Sequence, residues 1–192
     1  MAQYQWLILL AQLPAAPSSA RVALWRRLRA AGAAGVHNGA WILPHSDEHI
    51  ALVTQLAETV RRQGGSAALF ATAAISQPEE DMVLARFRSD RAREYDEFAE
   101  RARGFLAEID KETQLGKFTF AELEEVEDDL EKLSAWLGKI RARDFFPEER
   151  MTGAGETLVR CGAALRVFAE EVYAQEGISA AADDEPAHSG AP

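Results

Sequence analysis

Val36-His37-Asn38-Gly39-Ala40-Trp41-Ile42-Leu43 sets Asn-Gly between two apolar flanks. Both residues of that pair tolerate positive φ, so the stretch predicts a β-hairpin. Upstream, Ser18 and Ser19 offer N-cap hydroxyls to a helix whose apolar positions Leu24, Trp25, Leu28 and Ala31 fall at helical spacing. Earlier still, Tyr4–Leu10 is apolar on both alternating sets of positions, which fits a central strand covered on both faces. Downstream of Pro44, Ser46 caps a second helix with Ile50, Val53, Leu56, Ala57 and Val60 on its core face and Asp47 and Glu48 in its first turn. Gly64-Gly65 stops that helix, and Ala67–Ala73 reads as a last strand. The order strand, helix, hairpin, helix, strand is the ferredoxin-like βαββαβ plan.

From Ser76 the apolar period lengthens from two to about three and a half. Ser76 and Glu79 have capping-box spacing, with Gln77 before Pro78 as an alternative cap. Leu84, Phe87, Tyr95, Phe98, Ala102, Leu106 and Ile109 follow, and Arg91 occupies one heptad position of that series. Thr119 and Glu122 form a second capping box, with Phe118 and Leu123 as its hydrophobic staple. Leu123, Val126, Leu130, Leu133, Leu137 and Ile140 then keep to one seam, and Leu158, Cys161, Leu165, Phe168 and Val172 repeat the spacing. The expected fold is α+β: a ferredoxin-like domain over 1–76, an antiparallel α-helical, coiled-coil-like bundle over 77–174, and a disordered tail over 175–192, where little remains to bury.

The 192 residues are 47% hydrophobic, enough for a real core, and carry one cysteine, Cys161. An internal disulfide and a cysteine-based zinc site are thereby excluded, and a reducing, cytoplasmic setting is expected. Trp6–Ala11 is too short to span a membrane. No Lys or Arg precedes Arg21, against the charged start of a signal peptide. Net charge is −10, but unevenly spread. Residues 1–76 hold six arginines and three carboxylates, a net +3, whereas residues 77–192 hold 15 basic and 28 acidic groups, a net −13. The net charge of −10 argues against a generic nucleic-acid binder, but that average hides the basic front half, so the two halves face different partners or surfaces.

No glycine-rich phosphate loop, serine nucleophile elbow, cysteine pair or zincin pattern occurs, so no catalytic residue, metal ligand or cofactor is assigned and no enzyme is expected. His45 and His49 stand four apart, with His37 on the hairpin; two histidines without a third fixed ligand read as polar residues at a helix start. Cys161 lies on an apolar stripe and reads as core. Arg21, Arg26, Arg27 and Arg29 share one short helix, where they fit the phosphates of DNA or a solvated face. A second group, Arg86, Arg88, Arg91 and Arg93, is followed by Tyr95, while Arg141 and Arg143 precede Asp144-Phe145-Phe146. Antiparallel packing of the two helices brings both groups to one end. They then form an oxyanion site, or pair internally with Asp90, Glu94 and Asp144.

Trp6-Leu7-Ile8-Leu9-Leu10, Leu13-Pro14, Pro17-Ser18-Ser19-Ala20-Arg21-Val22, Trp25-Arg26-Arg27-Leu28, Asn38–Pro44 and Ile140–Phe146 together resemble the N-terminal domain of ChrB-type chromate-resistance proteins. The resemblance runs from about Trp6 to Val172. It implies a bacterial chromate-responsive regulator of an efflux operon, or a stand-alone accessory protein, with chromate or another oxyanion and operator DNA as expected partners. Longer family members carry a C-terminal domain, which a separate partner protein would then supply; a homodimer is left open. The front half is also similar to the plait of PaaX-type repressors and Cas2-type nucleases. In those nucleases an Asp ends the first strand and binds the metal; Gln12 stands here, a poor Mg²⁺ ligand, which speaks against metal-dependent cleavage.

Overall fold

The computed structural model describes residues 4–15 and 18–177. Its elements are β1 (Trp6–Gln12), α1 (Ser18–Ala30), β2 (Ala34–His37), β3 (Ala40–Pro44), α2 (Asp47–Arg62), β4 (Ser66–Thr72), α3 (Gln77–Leu115), α4 (Phe120–Ala142) and α5 (Glu149–Gln175). The strands make one antiparallel sheet in the order β2-β3-β1-β4, the ferredoxin-like arrangement, and the α+β class holds. Asn38-Gly39 forms the hairpin turn. Gly39 has φ +76°, and a Cβ there would meet the Ala11 carbonyl oxygen at 2.5 Å. The Ala11 amide donates to the Gly39 carbonyl at 2.7 Å, fastening the hairpin tip to the end of β1.

β1 is covered on one side at Leu7 and Leu9 and on the other at its Trp6 end, while Leu10 stays exposed, short of the full two-sided cover its apolar run predicts. Leu7 and Leu9 pack with Leu28 of α1 and with Val53, Leu56 and Ala57 of α2. Trp6, on the alternate set, packs with Ile42 and Phe87, and Phe145 and Phe146 close over them. The Trp6 and Phe87 rings stack at 5.7 Å between centroids, and Phe146 meets both. The Ser46 hydroxyl accepts the His49 amide at 3.1 Å at the start of α2. Ser76 precedes α3 and its hydroxyl donates to Glu79, while Thr119 accepts the Glu122 amide at 3.3 Å.

The change of pattern at Ser76 does not coincide with the division into compact units. One unit gathers residues 1–97 and 136–154, the other 98–135 and 155–192. The reason is local: the first turns of α3 and the segment after α4 bring Phe87, Phe145 and Phe146 to the sheet, so the first unit takes both with it. In the second unit, Phe98, Ala102, Phe105 and Ile109 of α3, Leu123, Val126 and Leu133 of α4, and Cys161, Phe168 and Val172 of α5 are buried. Phe105 takes the core place expected of Leu106, which is half-buried. Cys161 approaches the Ala102 carbonyl at 3.9 Å. Phe118 meets Phe168 and Phe120 meets Tyr173, so α5 runs antiparallel to α4. Of the expected tail, Gln175 ends α5 and residues 178–192 lie outside the described residues.

Candidate functional site

Spacings of three and four along α3 put Arg86, Asp90, Arg93 and Glu94 within reach of one another. Asp90 is 2% exposed. It accepts from Arg29 Nη1 of α1 at 2.8 Å and from Arg93, with Arg86 Nε at 3.8 Å. Glu94 takes Arg91 Nη1 at 2.8 Å and Arg143 Nε at 3.0 Å, with Arg29 Nη2 at 3.9 Å. Five guanidinium groups therefore converge on two carboxylates, a local excess of three positive charges. Gly32, with φ +79°, permits the approach: a Cβ there would lie 2.7 Å from Arg143 Cβ.

Arg91 explains the polar residue in the apolar heptad series, because it is buried in the first unit. Burial lowers its pKa and Glu94 opposes that, while Arg143 and Arg29 lower it further. A guanidinium remains charged through such a shift. Its Nε is buried and has no hydrogen-bond partner among the described residues. Beside it, the Tyr95 hydroxyl donates to Asp144 Oδ2 at 2.9 Å. Burial, and then that bond, hold the phenol well above its ordinary pKa. Arg88 pairs with Glu148 at 3.1 Å on the exposed side, and Arg150 pairs with Asp96. A cavity of only about 10 Å³ lies between Arg88, Arg91, Tyr95 and Asp144, the size of one water.

Of the two expected arginine groups, Arg143 meets Arg91 at Glu94 and Asp90 holds Arg86 and Arg93, while Asp144 accepts from Tyr95 instead. Arg141 is exposed and makes no ion pair among the described residues. Arg29, grouped by sequence with a nucleic-acid face, belongs instead to this cluster; only its place in the α1 sequence was legible, not the distant Asp90 that fixes it. The remaining arginines of α1, Arg21, Arg26 and Arg27, are exposed, and Arg27 donates to Gln55 at 2.7 Å.

Among the described residues, no three His, Cys, Asp or Glu side chains are placed to hold a metal ion. His49 Nδ1 lies 2.7 Å from the Pro44 carbonyl and its ring meets Phe145 edge-on, a packing role. No described helix is long and apolar enough to cross a membrane. Charge also separates by unit: 14 basic and 13 acidic residues fall in the first, 7 and 18 in the second.

A ferredoxin-like sheet unit with an arginine-rich cluster, continued by long helices, defines the class. The sequence profile of the family described as "Protein ChrB, N-terminal" matches residues 21–179. The chain belongs to that family. It is similar to Protein ChrB of Cupriavidus metallidurans (strain ATCC 43123 / DSM 2839 / NBRC 102507 / CH34), 31% identical over 147 residues, which cover 75% of this chain and 41% of that protein. The chain thus spans less than half the length of the curated relative it matches. No solved structure matches it.

Proposed function

We propose that this chain is a non-enzymatic chromate-response protein whose arginine cluster around Asp90 and Glu94 takes a tetrahedral oxyanion. The observation that carries the reading is the excess of three positive charges where five guanidinium groups share two carboxylates. Each guanidinium has five N–H donors, so the five groups together offer far more than two carboxylates accept. Arg86 and Arg93 have side chains 48% and 66% exposed, so their free donors face solvent. Chromate, a tetrahedral dianion, would dock on these two outer arginines in the field of Arg29, Arg91 and Arg143. Arg141, exposed and without an ion pair among the described residues, adds positive charge nearby, whereas Arg88 is matched by Glu148. Membership of the ChrB family supports chromate over sulfate as the biological ligand. Regulatory output is proposed to require the part of such proteins that this chain does not span.

Calorimetric titration with chromate and with sulfate tests the assignment. Saturable heat is expected from wild type and at least about tenfold weaker binding from Arg93→Ala. No heat from either anion would overturn it.

A second element of the reading is operator binding through Arg21 and Arg26, which stand exposed on α1. Phosphate contacts of this kind give affinity that falls steeply with salt. A gel shift with the upstream DNA should therefore weaken as salt rises. No shift even at low salt would remove DNA from the account.

A further inference from the structure

We propose that the cleft at the carboxyl end of β1 binds a planar aromatic carboxylate. The cleft encloses about 940 Å³ between α1, the hairpin turn and the start of β4, within the range of small-molecule sites. It shares no residue with the arginine cluster. Leu10, Trp25 and Trp41 line it, and Trp25 and Leu10 are 52% and 42% exposed. Large apolar side chains left open around one concavity mark a place where apolar surface can be covered. The hairpin tip is fastened to Ala11 by a backbone hydrogen bond, so this wall is set before any ligand arrives.

Charge in the cleft is equally specific. Arg21 is the charged residue of the lining, and it makes no ion pair among the described residues. Among the described residues the lining contains no carboxylate to repel an anion, and Gln12 and Asn38 add neutral amides. One guanidinium offers a flat two-pronged fork that matches a carboxylate. The indoles of Trp25 and Trp41 in the same lining suit a flat ring. A tetrahedral inorganic dianion would find here a single cation against apolar walls, and a net three positive charges at the other cluster. The two places therefore sort their ligands by chemistry.

Tryptophan-fluorescence titration of the full chain with 2-naphthoate, beside its neutral analogue 2-naphthalenemethanol, tests the proposal. Saturable quenching by naphthoate is expected, with the neutral analogue at least about tenfold weaker. Arg21→Gln should erase that difference, Arg21→Lys should keep part of it, and Trp25→Ala should weaken both ligands. Sulfate should displace naphthoate no better than chloride at equal ionic strength. The proposal is overturned by absence of saturable naphthoate binding, by equal affinity for acid and alcohol, or by an unchanged preference in Arg21→Gln. Because sulfate and chromate are read at the other cluster, failure there leaves this result standing.

Discussion

Asp90→Asn removes the most buried carboxylate of the arginine cluster while keeping its shape, and raises the local excess from three positive charges to four. Deleting one partner of a buried ion pair costs about 3–5 kcal/mol, because the other charge is left without compensation. Arg93 and Arg86 can swing into water, being 66% and 48% exposed, whereas Arg29 is only 27% exposed. The lower end of that range, about 3 kcal/mol, is therefore expected. With a urea slope of about 2 kcal/mol per molar, the unfolding midpoint falls by about 1.5 M. Trp6 reports it directly, since it is buried, stacked on Phe87 one helical turn before Asp90. Sulfate should restore more stability to Asp90→Asn than it adds to wild type, since the variant has the larger unneutralised charge. A midpoint within about 0.3 M of wild type would refute the reasoning, because the carboxylate would then not be neutralising cations that water cannot reach.

Gly39→Ala should lose more than about 1 kcal/mol in thermal or urea unfolding, since its φ is +76° and the new methyl would meet the Ala11 carbonyl; an unchanged midpoint would contradict the account of the hairpin tip. Tyr95 should stay protonated well above its ordinary value of 10.0, as followed by ultraviolet difference absorbance. Because the folded pKa is raised, the stability linked to this phenol is complete below the unfolded value and is lost as pH rises through the folded one. Asp144→Asn should bring the titration down without abolishing the effect of burial, and an unmoved titration would remove the Tyr95–Asp144 bond from the account. Cys161 is buried and burial pushes its thiol up, so a thiol reagent should react only on unfolding; prompt reaction of native protein would sink its assignment to the core.

Local signals were legible in the sequence because their causes are local. Asn38-Gly39 needed only its φ preferences, Ser46, Ser76 and Thr119 only their distance to the next turn, and β1 only its apolar run. Trp6 and Leu7, neighbours in sequence, pack in opposite layers as that run implied. Phe105 and Leu106 were harder to separate, since either fits a seam stepping by three and four, and only packing chose Phe105. The site was half legible for a similar reason. Asp90 and Glu94 lie within one turn of the arginines they hold, so their pairing followed from helix spacing. Arg29 and Arg143 reach the same carboxylates from α1 and from the end of α4, and no local pattern encodes such a meeting. Phe145 and Phe146 stand out in the sequence as a motif, but their closing over Trp6 depends on the same long-range return.

The central claim is that an oxyanion is held by the arginines that share Asp90 and Glu94. Its most direct measurement is the titration of the folded chain with chromate while following the arginine Nε–H resonances by NMR, assigned by single Arg→Lys substitutions. The account predicts saturable movement of Arg86 and Arg93, with smaller shifts at Arg29, Arg91 and Arg143, and none at Arg21. Signals of all five cluster arginines that stay fixed to the end of the titration, or a response confined to Arg21 and Arg26, would contradict it.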